Sequence, residues 1–262
     1  MKNIKIPPDH PRRESLKIRE KIIEGHAKTV VATAGLIAHG RGEGFDYLLG
    51  EKTSKPALNA INAGAAALLT AQKPVISVNG NTAALVAKGI IDLAHITGAE
   101  IEVNLFYRSQ EREQAIKELL EEAGAHNVLG VGNKASAKIP ELGSERRRVD
   151  PNGILVADVV MVPLEDGDRT EALIKMGKTV VAIDLNPLSR TAQKATITIV
   201  DNIVRATPKL AKAARKLKQD MKKCYEILRY FDNKRNLAGS IILIKERLSE
   251  IAEKCESLNL EG

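Results

Sequence analysis

Between residues 74 and 201 the sequence alternates short apolar runs with amphipathic helical patterns, and this alternation is the strongest constraint on the fold. Strands are predicted at "PVISVNG", "EIEVNLF" and "NVLGVG", with helices at 82–97 and 109–124 between them. After an irregular stretch at 131–153, strands are predicted at "ILVADVVMVP", "TVVAIDL" and "ATITIVD", with a helix at 168–176. Strands that alternate with helices of this length form a mostly parallel sheet with helices on both faces. The sequence therefore predicts an α/β fold with a Rossmann-like, doubly wound sheet.

Helical patterns flank this predicted sheet on both sides along the chain. Residues 9–27 predict an N-terminal helix. Residues 205–257 are charged and helical in pattern, with a break predicted at 232–236. We therefore expect a core of residues 1–204 and a C-terminal helical region of residues 205–262, which is either an appendage or part of the same domain.

The composition narrows the class of partner. The chain has 262 residues and is 44% hydrophobic, which is enough to bury a large core. Its formal net charge of +7 indicates an anionic partner, such as a phosphorylated metabolite, a nucleotide, a nucleic acid or a membrane surface. Residues 1–15 contain no apolar signal core, and no apolar run approaches the roughly 18 residues of a membrane span. Cys224 and Cys255 have no metal-binding spacing, as expected for reduced thiols in a cytoplasmic protein without membrane contact.

The segment "GLIAHGRGEGFDYLLGE", residues 35–51, places glycines among charged side chains. Because glycine permits positive φ and close backbone approach, the segment is predicted to be a loop that wraps a polar ligand. His39 and Arg41 are its candidate functional residues, although a capping role for His39 fits the pattern equally well. Arg19 shares the apolar stripe of the preceding helix, which indicates either a buried anion or a side chain that reaches solvent along the helix edge.

Polar residues follow three of the predicted strands, and parallel sheets bind ligands beyond the carboxyl ends of their strands. "VISVNGNT" ends in Asn79, Asn81 and Thr82, which fit either an anion cradle at a helix N-terminus or an ordinary Asn-Gly turn with an N-cap. In "VVAIDLNPLSR" and "TITIVDN" an aspartate and an asparagine stand where the predicted strand ends, and these side chains suit ribose hydroxyls or Mg²⁺. The residues that we predict to bind a nucleotide at these two strand ends are Asp184, Leu185, Asn186, Ser189, Arg190, Asp201 and Asn202.

Two common nucleotide fingerprints are incomplete in this sequence. "GKT" at 177–179 lacks the preceding glycine of a P-loop, since Ala172 stands there, and "GRGEGF" has Phe45 where the GxGxxG pattern needs glycine. The histidines are scattered without ligand spacing, which argues against a structural zinc site. A P-loop kinase and a NAD-dependent dehydrogenase are therefore disfavoured.

A basic run at 205–223 raises the alternative of nucleic-acid binding, because eight basic residues there stand against one acid, Asp220. Aromatic residues make up 3% of the chain and none lies in this run, so stacking platforms for bases are scarce. A solvated helix face is the better interpretation, and no nucleic-acid partner is expected.

Several longer motifs occur in one order along the chain: "IPPDHPR", "GLIAHGRGEGFDYLLGE", "ISVNGN", "VVAIDLNPLSRTAQ" and "ATITIVDNI". Together they resemble the archaeal-type phosphopantothenate synthetases, the 4-phosphopantoate:beta-alanine ligases of coenzyme A biosynthesis. The resemblance runs from about residue 6 to the C-terminal helices. Long motifs in a fixed order are far more specific than one short pattern.

The resemblance implies that 4-phosphopantoate and beta-alanine condense to 4'-phosphopantothenate while ATP gives AMP and diphosphate through an acyl adenylate. It also implies Mg²⁺ on the ATP oxygens and a homodimer that uses the C-terminal helices. An ADP-forming enzyme acting on another phosphorylated metabolite is the alternative. For this reaction we predict that Arg19, Arg41 and the nucleotide-binding residues of the two strand ends bind ATP. His39, Asn79, Asn81 and Thr82 are predicted to bind substrate, and His39 and Arg41 to act in catalysis. No metal ligand is predicted from the protein.

Overall fold

A six-stranded parallel sheet forms the centre of the computed structural model, which describes residues 6–140 and 142–259. The strands in chain order are β1 (Pro74–Val78), β2 (Glu100–Val103), β3 (Val128–Leu129), β4 (Ala137–Lys138), β5 (Arg148–Val149), β6 (Val159–Pro163), β7 (Thr179–Ile183) and β8 (Ile197–Ile199). The sheet has the order β3-β2-β1-β6-β7-β8, while β4 and β5 form a separate antiparallel ribbon. The predicted α/β class and parallel sheet are confirmed.

Helices cover both faces of this sheet. They are α1 (Arg13–Ala27), α2 (Thr33–Leu49), α3 (Lys55–Thr70), α4 (Gly80–Thr97), α5 (Gln110–Glu122), α6 (Gly167–Lys175), α7 (Arg190–Lys194), α8 (Ile203–Leu217), α9 (Met221–Tyr230) and α10 (Asn233–Asn259). No helix in the described ranges is both long and apolar enough to cross a bilayer.

The strand order reverses between β1 and β6, which pair in parallel with Val75 opposite Val160. From β1 the chain winds outward through β2 to β3, and it then returns to β6 and winds outward the other way. Every residue of β1 and β6 is buried, as expected for strands with helices on both faces. A crevice opens at such a reversal, and the candidate site lies there.

The predicted glycine loop at 35–51 is wrong, because most of this segment forms the helix α2. Gly35 is needed for close packing and not for a turn, since a Cβ there would lie 2.3 Å from Asn81 Oδ1. Among the glycines of this segment, only Gly50, the C-cap, has a positive φ, 83°. Glycine costs a helix about 0.5–1 kcal/mol relative to alanine, and packing of Leu49 and Phe45 offsets that cost.

Smaller differences concern the boundaries of other elements. The strand predicted from residue 154 begins at Val159, and the connector after β7 contains α7. The irregular stretch at 131–153 contains the β4–β5 ribbon. The break predicted at 232–236 coincides with the start of α10, and a second break separates α8 from α9. Element ends are the part of a fold that local patterns define least.

The C-terminal helices pack on the core. Leu210 and Cys224 belong to the main hydrophobic cluster together with Ile199 of β8. Lys218 Nζ donates to the carbonyl of Ile96, and Asn233 Nδ2 donates to the carbonyl of Ala195 at 3.0 Å. These contacts favour one continuous domain, although the division at residue 204 stays a prediction. Residues 1–5 and 260–262, the ends of the two predicted regions, lie outside the described residues.

The basic run at 205–223 does not form a uniformly free face. Arg205 is bound to Asp46 and Asp201, and Arg215 pairs with Asp92 of α4. Lys218 and Lys223 also have protein acceptors.

Candidate active site

A cavity of about 720 Å³ lies at the carboxyl edge of the sheet. Its floor is formed by residues that follow β1, β6, β7 and β8, and α2 forms one wall. We divide its lining into two halves. The β7–β8 half is defined by Asp184, Asn186, Ser189 and Asn202, and the β1–β6 half by Asn79, Arg112, Arg146, Glu165 and Asp166.

The β7–β8 half is a compact turn. Asp184 follows β7 directly and accepts hydrogen bonds from Ser189 Oγ and, at 2.9 Å, from the amide of Asn186. Asn186 Oδ1 accepts from the amide of Leu188, and Ser189 caps α7. The pKa of Asp184 is raised overall, because the effect of burial exceeds the lowering by its two hydrogen-bond donors and by the charge of Arg41. The turn presents polar atoms and the side chain of Leu185 to the cavity.

Asp201 and Asn202 belong to a buried network behind this turn. Asn202 lines the cavity, donates from Nδ2 to Asp46 Oδ2 at 2.9 Å, and caps α8. Asp201 is 1% exposed and does not line the cavity. It accepts from Thr53 Oγ1 at 2.6 Å and from Arg205 Nε at 2.9 Å. The network fixes α2 against α8.

The α2 wall carries His39 and Arg41 into the cavity lining. His39 Nε2 is buried and has no hydrogen-bond partner among the described residues. Burial lowers the pKa of His39, and the nearby Glu43 opposes this effect. The imidazole is therefore neutral near pH 7 and free to accept a proton. Arg41 is exposed and has no ion pair within the described part of the chain.

Arg19 lies outside the cavity lining and binds the carboxylate of Glu43, which does line it. Arg19 Nη2 lies 2.9 Å from both Glu43 oxygens, and Arg12 and Tyr47 contact the same carboxylate. Burial alone would raise the pKa of Glu43, but the hydrogen bonds from Tyr47 and Arg19 lower it overall. A phosphate that recruited Arg19 would have to compete with this carboxylate.

Residues after β1 form the N-terminus of α4. Asn79 and Asn81 line the cavity, whereas Thr82 is fully buried behind them. Asn79 Oδ1 accepts from the amide of Thr82 at 3.0 Å, and Asn81 Nδ2 donates to the carbonyl of Gly35 at 2.9 Å. The N-cap that the sequence suggested is present.

Arg190 lies at the cavity edge at the start of α7. It forms ion pairs with Asp168 and Glu171 of α6, and its side chain is 59% exposed. These exposed pairs bind weakly enough for a phosphate to replace them.

The cavity residues that were not found from the sequence include Arg112, Arg146, Glu165 and Asp166. Glu165 and Asp166 follow β6 closely, so the strand-end rule that selected Asp184 also applies to them. Arg146 lies in the irregular stretch and Arg112 in α5, and neither has a local signal.

Among residues 6–140 and 142–259, no group of three or more His, Cys, Asp or Glu side chains is arranged to hold a metal ion. Mg²⁺ commonly takes one or two protein carboxylates and completes its shell with substrate phosphates and water. The carboxylates that line the cavity are those of Glu43, Glu165, Asp166, Asp168 and Asp184.

A parallel sheet with a charged cavity where its strand order reverses defines a ligand-binding α/β protein of the Rossmann-like class. The model of the phosphopantothenate/pantothenate synthetase family matches residues 56–247, and the chain belongs to this family. It is 53% identical to the 4-phosphopantoate--beta-alanine ligase of Thermococcus onnurineus over 251 residues, which are 95% of this chain and 96% of the relative. The ligase of the same name from Thermococcus kodakarensis is 53% identical, with 96% of each chain covered. The one from Methanosarcina mazei is 52% identical over 94% of this chain and 97% of its own.

Proposed function

We propose that the chain is an ATP-dependent 4-phosphopantoate--beta-alanine ligase that releases AMP and diphosphate. A carboxylate reacts poorly with an amine because its leaving group would be oxide. Attack of the pantoate carboxylate on the α-phosphate of ATP expels diphosphate and forms an acyl adenylate. The beta-alanine amine then attacks the acyl carbon, AMP leaves, and the amine nitrogen loses a proton.

The observation that carries this proposal is that six of the seven predicted nucleotide-binding residues, all except Asp201, line one continuous cavity together with the N-terminus of α4. A ligase must hold ATP and the acid together, with the carboxylate in reach of the α-phosphate. The two halves provide two adjacent polar regions for these two ligands. The ligase names of the relatives supply the substrates.

In this scheme ATP occupies the β7–β8 half. Asn186, Ser189 and Asn202 offer hydrogen-bonding groups for the nucleoside at the strand ends. Arg41 faces Asp184 from α2 and is the cation best placed for the phosphates, since no described carboxylate pairs with it. Mg²⁺ bound by ATP oxygens would neutralise further negative charge.

His39 is the group proposed to accept the proton from the beta-alanine amine. Its neutral imidazole lines the cavity with a free, buried Nε2. A general base must be unprotonated and within reach of the proton that it takes. Arg41, two residues further along α2, would stabilise the charge that develops on the phosphates.

The partner proposed for α10 is a second copy of the chain. Ile241, Leu248 and Ile251 are 41–46% exposed and follow helical spacing along one side of α10, with Ile244 in the same row. The first half of α10 has three basic residues and one acid, and the second half has three acids and two basic residues. Two antiparallel copies would therefore bring halves of opposite net charge together. The residues concerned are Lys234, Arg235, Lys245, Glu246, Arg247, Glu250, Glu253, Lys254 and Glu256. Light scattering should give a dimer mass for the wild-type chain and a monomer mass for Leu248→Asp; a wild-type monomer would contradict this assignment.

Product analysis tests the proposed function. The purified chain with ATP, 4-phosphopantoate and beta-alanine should form 4'-phosphopantothenate, AMP and diphosphate in equal amounts. With ¹⁸O in the 4-phosphopantoate carboxylate, one labelled oxygen should appear in AMP, because the acyl adenylate breaks at the carbon–oxygen bond. Formation of ADP with label in inorganic phosphate would show an acyl phosphate instead and contradict the proposal.

Alanine variants of the strand ends provide a second readout in the same assay. Asp184→Ala should raise the KM for ATP because the turn and its acceptor are lost, while circular dichroism still reports a folded chain. Asn202→Ala should do the same, with some loss of stability from the missing α8 cap. Unchanged ATP kinetics in both variants would contradict the placement of ATP in the β7–β8 half.

A further inference from the structure

Arg112 is a cation that no described carboxylate neutralises. It lies in the first turn of α5, and its guanidinium donates to the carbonyl oxygens of Tyr107 and, at 3.1 Å, of Val30. Its Nε is buried and has no partner in the described part of the chain. Burial lowers the pKa of Arg112, and the charge of Arg146 lowers it further, because two cations lie near each other here.

The guanidinium of Arg112 also lies against the N-terminus of α4. A Cβ added to Gly80, the first residue of α4, would meet Arg112 Nη2 at 2.9 Å and the carbonyl oxygen of Val30 at 2.2 Å. The N-terminus of a helix carries a partial positive charge. A fixed arginine beside it is unfavourable unless an anion is bound between the two.

The cap of α4 leaves amides available for such an anion. The amide of Thr82 donates a hydrogen bond to Asn79 Oδ1. The amides of Gly80 and Asn81 make no hydrogen bond to any other described residue. Asn79, Gly80 and Asn81 all line the main cavity. Arg112 also borders a second, more open cavity beside α1, but the α4 N-terminus does not line that one.

Arg146 adds a second positive group to this half. It is 6% exposed, its Nη1 lies 2.9 Å from Glu165 Oε2, and its Nε lies 2.7 Å from Asp166 Oδ2. Glu165 is shared with the fully buried Arg169. Arg146 and Arg169 are thus paired with Glu165 and Asp166, and Arg112 is the guanidinium of this cluster that no described carboxylate pairs with.

We propose that Arg112, together with the free amides of α4 and with Arg146 behind them, binds the phosphate monoester of the acid substrate. This inference rests on the proposed ligase function and assigns the end of the substrate that does not react. A doubly charged phosphate matches two arginines and a helix N-terminus better than a singly charged carboxylate does. Binding the phosphate in the β1–β6 half directs the carboxylate of the same molecule toward the β7–β8 half, where the α-phosphate of ATP would lie.

The test compares Arg112→Gln and Arg112→Lys with wild type, and Lys117→Gln serves as the control because it removes a cation from the same helix outside the cavity lining. Loss of charge-assisted hydrogen bonds should raise the KM for 4-phosphopantoate by about ten- to a hundredfold in Arg112→Gln. The KM for ATP and for beta-alanine should stay at the wild-type value. The KM of Arg112→Lys for 4-phosphopantoate should fall between those of wild type and Arg112→Gln, because lysine keeps the charge without the planar fork. Lys117→Gln should match wild type.

Competition with unphosphorylated pantoate sharpens this test. Wild type should prefer 4-phosphopantoate strongly, and Arg112→Gln should lose most of that preference. An unchanged KM for 4-phosphopantoate overturns the proposal, and so does a rise in the KM for beta-alanine alone, which would place the amine substrate's carboxylate at Arg112. If Arg112→Gln does not fold, the same comparison with Arg112→Lys decides.

Failure of the ligase function would be visible separately, as a wild-type chain that makes no 4'-phosphopantothenate. Calorimetric titration with 4-phosphopantoate then still tests the phosphate site. Binding to wild type that is lost in Arg112→Gln supports the site, and equal binding to both chains overturns it.

Discussion

The two halves of the cavity are built in different ways. Asp184, Asn186 and Ser189 of the β7–β8 half come from one turn of six residues, and most of their hydrogen bonds run within that turn. The β1–β6 half collects side chains from the ends of β1 and β6, from α5 and from the stretch that contains the β4–β5 ribbon. A turn defines its own geometry, whereas side chains from distant segments are positioned only by the tertiary structure that joins them.

Buried polar side chains provide that tertiary structure in the β1–β6 half. Glu102 of β2 is fully buried and accepts from the amides of Asp150 at 3.0 Å and Ile154 at 2.6 Å. Asn104 donates to the carbonyl oxygens of Arg146 and Arg148. The stretch that carries Arg146 is therefore attached to the sheet edge through β2 and the residue that follows it.

The largest expected effect comes from Glu102, whose pKa is raised to about 7, first by burial and then by Asp150, while the two amide donors and Arg169 lower it. A raised folded-state pKa contributes stability that is fully present below the unfolded value, near 4.5, and is lost as the pH rises to about 7. The free energy of unfolding should fall across this window by up to about 3 kcal/mol from this group. Urea unfolding at several pH values measures this fall in the free energy of unfolding.

Glu102→Gln provides the matched variant, because glutamine has the same shape and does not titrate. It can accept only one of the two amide bonds, so its stability at pH 4.5 has its own offset from wild type. Between pH 4.5 and 7.5 the variant should gain stability relative to wild type by up to about 3 kcal/mol. Parallel pH profiles for the two chains would show that Glu102 does not titrate in this window.

These contacts explain which parts of the molecule the sequence can predict. The parallel sheet and the residues after β7 and β8 are predictable because strand periodicity and the strand-end rule act over a few residues, as at Asp184. Asp201 follows the same rule but is turned inward to Thr53 and Arg205, which only the packing of α8 decides. Arg112 and Arg146 lie 34 positions apart and meet through tertiary contacts alone, so no local pattern identifies them.

A smaller effect is expected at Arg41, which tests the β7–β8 half from the opposite wall. Arg41→Lys keeps the charge but loses the planar fork that binds two phosphate oxygens. Loss of one charge-assisted contact, about 1.5–3 kcal/mol, should lower kcat/KM for ATP by about ten- to a hundredfold. The melting temperature should hardly change, because Arg41 is exposed and unpaired within the described residues.

Arg215→Lys is the control for this substitution, since Arg215 pairs with Asp92 away from the cavity lining. Its kinetics should equal those of wild type. Full activity of Arg41→Lys would instead mean that the fork of Arg41 does not bind phosphate. Loss of stability in proportion to activity would mean that Arg41 is a structural contact.

The smallest effect concerns α2, the wall that both halves share. Gly40 and Gly44 lie in this helix, and a Cβ at either position would meet no atom within 4 Å. Alanine at each should therefore stabilise the helix by about 0.5–1 kcal/mol, which is roughly 1–4 °C in melting temperature for a chain of this size. Gly35→Ala is the opposite control, because its Cβ would lie 2.3 Å from Asn81 Oδ1 and should destabilise the fold. A loop at 35–51 would give no gain at Gly40 or Gly44, so the absence of stabilisation would contradict the helix.

The activity of Gly40→Ala shows whether α2 stays helical while ligands bind. Alanine favours a helix most, so it would slow turnover if α2 had to unwind during the reaction. A Gly40→Ala variant that melts higher and turns over at the wild-type rate would therefore show that α2 stays helical.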